Sequence, residues 1–560
     1  MSAADDFFAR HRAMLDDAVR AIRSRGYYSA FPESPSPKVY GDSAAAEGLA
    51  AFESWLGRDF PISTPGAVGA VAAEKSPFGL ELGVRYPRVA PTGISTLIDA
   101  ARAGMPKWRD AGVEARVGVG LEVLHRLHHR VFEVANSVMH TSGQAFVMAF
   151  QAGGAHALDR ALEAIAYAYE EMSRVPRTAV WEKPGRDAPL RMEKTYTVVP
   201  RGVALVIGCN TFPTWNSWPG LFASLVTGNP VLVKPHPNAV LPLAISVQVC
   251  QEVLAESGFD PHLVTLTAED PADGLAAALA VHESVKLIDY TGSNAFGNWL
   301  EENARQAQVF AEKAGVNSVV IDSTDSFKGM CFNLAFSLAL YTGQMCTAPQ
   351  DIFIPAGGFD TDEGVKSVDD LVAGLEAAFD KLLGDDKRAV EVLGGVVNEG
   401  VLLRLSDAAA GRQGSVAIES REVNHPAFAD AVVRTPTVVV VGVDDRAAYQ
   451  QEHFGPISFL VQTDSTEESI ELFRRTSLDH GAMTASIYST DPTVLDSMRS
   501  AALDAGVALS ENLTGQVFVN QSAAFSDFHG TGANPAANAT YTDGAYVASR
   551  FRFVQSRRHI

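Results

Sequence analysis

Cysteine is scarce in this chain. Only Cys209, Cys250, Cys331 and Cys346 occur in 560 residues, and none of them forms a C-x-x-C pair. That excludes a disulfide scaffold or a cysteine-rich metal module and points to a reducing cytoplasm. Positive charge is also in deficit: 45 Lys and Arg stand against 66 Asp and Glu, a net charge of −21. A field of that sign repels phosphate backbones and anionic headgroups, which argues against nucleic acid and membrane surfaces as partners. A small anion remains possible, because local amides and a few cations outweigh the global field within the screening length of about 8–10 Å. Long hydrophobic runs are missing, since Gly202–Gly208 and Val438–Val443 are far too short to span a bilayer. The N-terminus, Met-Ser-Ala-Ala-Asp-Asp-Phe-Phe, is acidic where a signal peptide is basic, so no targeting segment is expected. What remains is an ordinary globular composition, 47% hydrophobic and 20% charged, with a length that suggests two to four domains of about 150 residues.

The hydrophobic pattern divides the chain. Residues 4–25 carry Phe7, Met14, Leu15, Val19 and Ile22 at helical spacing, and Pro32, Pro35 and Pro37 then break the pattern. Helical spacing dominates from Gly93 to about Met172, with one long helix expected over 115–138. His125, His128 and His129 lie on that helix without further ligands nearby, and they read as a solvated face, with no metal site expected. After Pro176, short Val- and Ile-rich runs (203–207, 231–233, 263–266, 285–288, 316–321 and 438–443) alternate with helical stretches such as 242–257 and 294–306. That alternation predicts an α/β protein with mostly parallel sheets. The Gly- and Ala-rich stretch 530–544 reads as an ordered surface crossing, and 546–554 as an edge strand.

Four elements carry chemistry. Residues 285–297 read as strand, turn and helix start, a geometry that aims N–H groups at a phosphate, although helix capping by Ser293 explains the same letters. In Gly228-Asn-Pro-Val-Leu-Val-Lys-Pro-His-Pro237, Lys234 ends a strand where parallel sheets bind ligands; a solvated surface lysine is the plainer alternative. In Tyr341-Thr-Gly-Gln-Met-Cys-Thr-Ala348, Cys346 sits in a glycine loop among small and polar residues, as a nucleophilic thiol would, whereas Cys250 and Cys331 fit buried inert thiols. Upstream of Cys346, Glu312 stands beside a buried strand as a candidate base, with a salt-bridged surface residue as the plainer alternative, and Glu452-His-Phe-Gly-Pro456 joins a carboxylate, an aromatic face and a rigid turn.

Taken in order, these elements and the Asn210-Thr-Phe-Pro213 loop resemble the aldehyde dehydrogenase superfamily over residues of about 95–556. The length, the N-terminal extension and the Glu312-Lys-Ala-Gly315 segment look most like its phenylacetate-degradation PaaN/PaaZ group. The resemblance implies an aldehyde dehydrogenase-like α/β fold: a helical extension (1–90), a Rossmann-like dinucleotide-binding domain (91–314) and a catalytic domain (315–515). A C-terminal crossing and strand (516–560) would join the hairpin 180–199 in a small β oligomerisation element of a homodimer or homotetramer. It also implies that Cys346 attacks the aldehyde, that its backbone N–H and Asn210 hold the oxyanion, with Thr211 as the fallback across an apparent insertion, and that Glu312 activates water to release a free acid. The implied cofactor-binding residues are Lys234, His236, Pro237, Gly292, Ser293, Gly297, Glu452 and Phe454. Pro237 stands where NAD-preferring members often keep a ribose-binding glutamate, so NADP is the expected cofactor and NAD the alternative. The subgroup resemblance implies a ring-cleaved, CoA-linked semialdehyde as substrate, supplied by a separate enoyl-CoA hydratase-type enzyme. The alternatives are a general aromatic or aliphatic aldehyde dehydrogenase, an acyl-CoA-forming one, and a silent nucleotide-binding scaffold.

Overall fold

A computed structural model describes residues 3–560. Two parallel sheets organise it. The first has five strands in the order Val264–Leu266, Val231–Lys234, Val203–Ile207, Val285–Thr291 and Gln308–Glu312, all parallel. The second has seven strands in the order Ser415–Ile418, Thr437–Gly442, Ile457–Thr463, Asp351–Pro355, Ser318–Ile321, Thr484–Tyr488 and Ala508–Glu511, with only the first pair antiparallel. Helices cover both sheets, so central strands such as Val203–Ile207 are buried along their whole length and read as continuous apolar runs. The α/β class with mostly parallel sheets expected from the sequence is the class observed.

The N-terminal arm folds as expected, with helix Ala3–Ser24 burying Phe7, His11, Leu15, Ala18 and Ile22, a stripe at steps of three and four. It packs on helices Val113–His129 and Ala157–Ser173. The long helix expected over 115–138 is instead two helices, Val113–His129 and Val131–Ser142, broken at Arg130. The histidine cluster also departs in part from a purely solvated face. His125 and His129 are exposed, but the His128 ring lies against Phe31 and its Nε2 is 3.1 Å from the Tyr40 hydroxyl, which fastens the segment after the arm.

Two further differences concern the C-terminus. The stretch 530–544 exposes Thr531, Gly532, Ala533, Pro535 and Asn538 as a surface crossing does, but it also turns Ala536, Ala537 and Tyr541 inward. Its edge strand starts later than expected, at Phe551, because Asp543 caps a helical turn over Gly544–Ala548. Strand Phe551–His559 then pairs antiparallel with Leu190–Pro200, which pairs with Thr178–Lys183, giving a three-stranded sheet. Among the described residues no helix is long and apolar enough to cross a membrane.

Candidate active site

The Cys346 loop is held from three directions. Tyr341, Thr342 and Gly343 all have left-handed backbone, with φ of 55°, 54° and 63°. This tight reversal follows helix Phe327–Ala339 and is pinned by the Tyr341 hydroxyl on the Ser142 carbonyl and by Thr342 on the Gly394 carbonyl. From below, the Asn317 amide donates to the carbonyls of Cys346 (2.8 Å) and Ala348 (2.9 Å), while its oxygen accepts the N–H groups of Met483 and Thr484. From the side, Gly343 abuts Gly455, which brings the Cys346 loop against the Glu452–Pro456 turn.

Glu312 ends the last strand of the five-stranded sheet, and the strand is extended there by a C-terminal segment. Lys313 N–H donates to the Ala536 carbonyl at 2.7 Å, Ala311 N–H to the Asn538 side chain at 2.7 Å, and Glu312 bridges to Ala537. That segment doubles back on itself through paired hydrogen bonds between His529 and Tyr541. The closure delivers the buried His529 ring to the site, edge-on to Trp215. Its Nε2 lies 3.0 Å from Glu312 Oε1 and 3.9 Å from Cys346 Sγ. One donor atom from each of the three residues falls within 4.8 Å of the others. The second Glu312 oxygen accepts from the Asn216 amide at 2.8 Å, and the Asn216 oxygen accepts from the Cys209 thiol. Burial pushes the Cys346 thiol well above its usual range, and the Glu312 charge adds to the effect. Cys209 is pushed up to about 11 by burial.

Of the expected site residues, the structure thus brings Cys346 and Glu312 together. Glu452 and Phe454 line one narrow pocket with Cys346 and Gly343. Burial raises the Glu452 carboxyl to about 7 against the pull of Arg404, and Arg404 itself donates to the Phe454 carbonyl. Asn210 directs its amide to the Thr141 carbonyl at 3.1 Å, and the Thr211 carbonyl accepts from Gln144 at 2.7 Å. Lys234 ends its strand buried and paired with Glu269, so the solvated alternative is set aside. His236 beside it is pushed down to about 4 by burial and by Lys234, which leaves it uncharged at neutral pH; Pro237 follows in the same half-buried loop. Ser293 caps helix Asn294–Asn303 and Gly292 N–H donates to the Glu312 carbonyl. Gly297 lies under the Lys313 side chain, whose ammonium is held by Asn298 and Glu301 at 2.9 Å.

Sequence reasoning missed His529, Asn216, Asn317 and Glu269. Asn317, next to the buried run after Gly315, carried a weak signal as a polar residue at a strand entrance. The other three lie in stretches without a motif.

Residues 70–533 match the aldehyde dehydrogenase family. The crystal structure of an NAD-dependent aldehyde dehydrogenase from Burkholderia multivorans is 56% identical over 100% of both chains, with a TM-score of 0.97. A 1-pyrroline-5-carboxylate dehydrogenase shares the fold at 20% identity and a TM-score of 0.74, covering 96% of this chain and 99% of that one. Among curated relatives, FUS7 of Gibberella moniliformis, named as an aldehyde dehydrogenase, is 28% identical over 312 residues, 55% of this chain and 62% of that one. The N-succinylglutamate 5-semialdehyde dehydrogenase of Burkholderia cenocepacia is 26% identical over 361 residues, 63% of this chain and 67% of that one. With its parallel sheets, its cysteine loop and this match over most of its length, the chain belongs to the aldehyde dehydrogenase family.

Proposed function

We propose that this protein oxidises an aldehyde to the free carboxylic acid with NAD. The observation that carries the reading is the placement of a thiol and a carboxylate on one imidazole, Cys346 and Glu312 on His529, with Cys346 also lining a pocket shared with Glu452 and Phe454. Cys346 is the nucleophile and adds to the aldehyde carbon. The Cys346 backbone N–H and an amide hydrogen of Asn210 receive the oxyanion, donors of a type typically worth about 3–4 kcal/mol of barrier. Glu312, held through both oxygens, takes the proton of the water that hydrolyses the thioester, which favours a free acid over a CoA thioester.

The donor set at the carboxyl ends of the five-stranded sheet fits a dinucleotide. Lys234 and Glu269 offer a cation and a carboxylate to ribose hydroxyls, Ser293 and the first turn of its helix a phosphate subsite, Glu452 a carboxylate to the second ribose and Phe454 an apolar wall. Bound NAD supplies the hydride acceptor. We favour NAD over the NADP expected from Pro237, because Glu269 restores a carboxylate beside Lys234 and His236 is uncharged, so a 2′-phosphate meets repulsion. The relative of 56% identity is described as NAD-dependent, in support. The CoA-linked semialdehyde and its separate hydratase rest on the subgroup resemblance alone, and the general aldehyde reading stands beside them. The four unpaired cysteines suit a reducing cytoplasm, and assembly into a dimer or tetramer through the three-stranded sheet completes the proposal.

The test follows reduced-cofactor absorbance with simple aliphatic and aromatic aldehydes and with the ring-cleaved CoA semialdehyde, using NAD and NADP, for wild type and Cys346→Ala. The expected result is NADH and free acid from wild type, and a loss of at least about 10³-fold in Cys346→Ala. Turnover that survives Cys346→Ala sinks the reading. A higher kcat/KM with NADP sinks the NAD assignment alone.

A further inference from the structure

Cys346 presents a chemical difficulty. Its thiol is half-buried with a carboxylate within 4.8 Å, an environment that opposes the thiolate on which nucleophilic attack depends. The side chain that the Sγ meets at hydrogen-bonding range is His529, whose Nε2 is 3.9 Å from it and 3.0 Å from Glu312 Oε1. We propose that His529 is a catalytic residue: its Nε2 takes the Cys346 proton as the sulfur attacks, and the Glu312 carboxylate stabilises the imidazolium that results. This rests on the function proposed above and supplies its missing proton acceptor.

The step balances. The S–H bond breaks and an N–H bond forms on His529, while the sulfur lone pair makes the C–S bond. The carbonyl π pair moves to oxygen as the oxyanion. Charges then alternate through the site, with negative Glu312, positive His529 and the negative adduct, whereas without the imidazole two negative groups would face one another across less than 5 Å. Such acceptance by a positioned base is typically worth about 10²–10⁴-fold in rate.

The surroundings suit the role. The ring is set by stacking beside Tyr541 and edge-on against Trp215, so its reach is fixed by packing. Tyr541 is held neutral by burial, and Cys209, whose thiol is also held neutral by burial and faces Asn216, stands beside Cys346 without a charge. Glu312 is therefore the one charge facing the imidazole in the described contacts. The hairpin closed by His529 and Tyr541, and its bridge to strand Gln308–Glu312, hold His529 beside both Glu312 and Cys346.

The decisive experiment needs neither aldehyde nor cofactor, so its outcome is separate from that of the proposed activity. Iodoacetamide labelling of Cys346 is measured by peptide mass spectrometry from about pH 6 to pH 9 for the full-length wild type and His529→Gln. Glutamine keeps an N–H donor for Glu312 but cannot take up a proton, so it separates proton acceptance from packing. A fall in the labelling rate at neutral pH of about tenfold or more, shrinking as the pH rises, is the expected result. A smaller fall, or one that is the same at every pH, overturns the proposal. Should His529→Gln not fold, His529→Ala is tested with added imidazole: restored labelling that rises with imidazole concentration supports the assignment, and no response overturns it.

Discussion

At Gly343 two independent constraints meet on one residue. Its φ of +63° is left-handed, and a Cβ there would lie 2.5 Å from the Gly455 carbonyl oxygen. Any side chain at Gly343 therefore pushes the Cys346 loop away from the Glu452–Pro456 turn. Gly343→Ala is expected to destabilise the protein by about 2–3 kcal/mol and to lower kcat/KM more than the fall in thermal midpoint alone suggests, because the displacement falls on the proposed nucleophile, Cys346. Thermal unfolding alongside steady-state kinetics checks this, and an alanine variant with wild-type kcat/KM would show that the loop tolerates the shift. Asn317 acts at the same scale. Its four hydrogen bonds tie the Cys346 and Ala348 carbonyls to the Met483 and Thr484 amides, so one buried side chain sets where the loop begins and where the next strand enters. A buried amide satisfied on all sides is costly to replace, since truncation leaves backbone groups unpaired.

Elements of this protein are joined by polar groups that sit far apart in the chain. Helix Leu241–Glu256 begins with N–H groups unpaired within the helix, and Glu74, more than 160 residues earlier, accepts from Val240 and Leu241 at 2.5 and 2.7 Å and from the Tyr86 hydroxyl at 2.5 Å. Burial raises the Glu74 carboxyl from 4.5 to about 7. The folded value lies above the unfolded one, so the protonated acid is the form the fold favours. Its contribution to stability is complete below pH 4.5 and is lost as the pH rises to about 7. Relative to Glu74→Gln, wild type is expected to lose stability across that interval, read as the difference in thermal midpoint between the two proteins at each pH. A difference that stays constant from pH 4.5 to 7 would rule out the titration. The Asp289–Arg550 pair plays a similar joining role. Arg550 is fully buried, donates to Asp289 at 2.6 and 2.8 Å and to Ser224, and lies over the rings of Phe310 and Tyr546, so the C-terminal turn is locked onto the first sheet.

At the scale of the whole molecule, what was legible in the sequence and what was not divide along one physical line. Periodicity reports burial within an element, so the parallel strands at 203–207, 231–234 and 285–291, the helices at 241–256 and 294–303 and the amphipathic arm could all be read locally. Cys346, Glu312, Lys234 and Glu452 could be singled out as candidates because each stands in a stretch whose glycines and prolines shape the backbone around it. His529 was not, since it meets Glu312 and Cys346 across separations of 217 and 183 residues and its neighbours spell only a glycine-rich loop. The same holds for Glu269, paired with Lys234 through the neighbouring strand, and for the break at Arg130, where nothing in the apolar pattern announces an end. The inward turn of Ala536 and Ala537 within the exposed stretch 530–544 also escaped the sequence, because small residues pack inside as readily as they cross a surface.

The three-stranded sheet is the element through which assembly of the protein is proposed. Both its outer strands, Phe551–His559 and Thr178–Lys183, present unpaired edges, and Val180, Trp181, Leu190 and Val554 expose apolar side chains around it. A long edge with apolar flanks is an association surface unless something covers it. A second copy of this chain meets the requirement, since a closed two-fold assembly lets each sheet cover the other. Trp181 is the residue to change: it is exposed over 36% of its surface, pairs with Met192 across the sheet and lies far from Cys346 in the topology. Trp181→Glu places a charge where an apolar contact is expected, and analytical ultracentrifugation should then show a smaller species than wild type. The labelling of Cys346 by iodoacetamide is expected to persist, because the thiol and its imidazole are held within one chain. If wild type sediments as a monomer, or Trp181→Glu retains the wild-type assembly, the sheet is not the contact and its edges are guarded by the charges of Arg557, Arg558 and Lys183 instead.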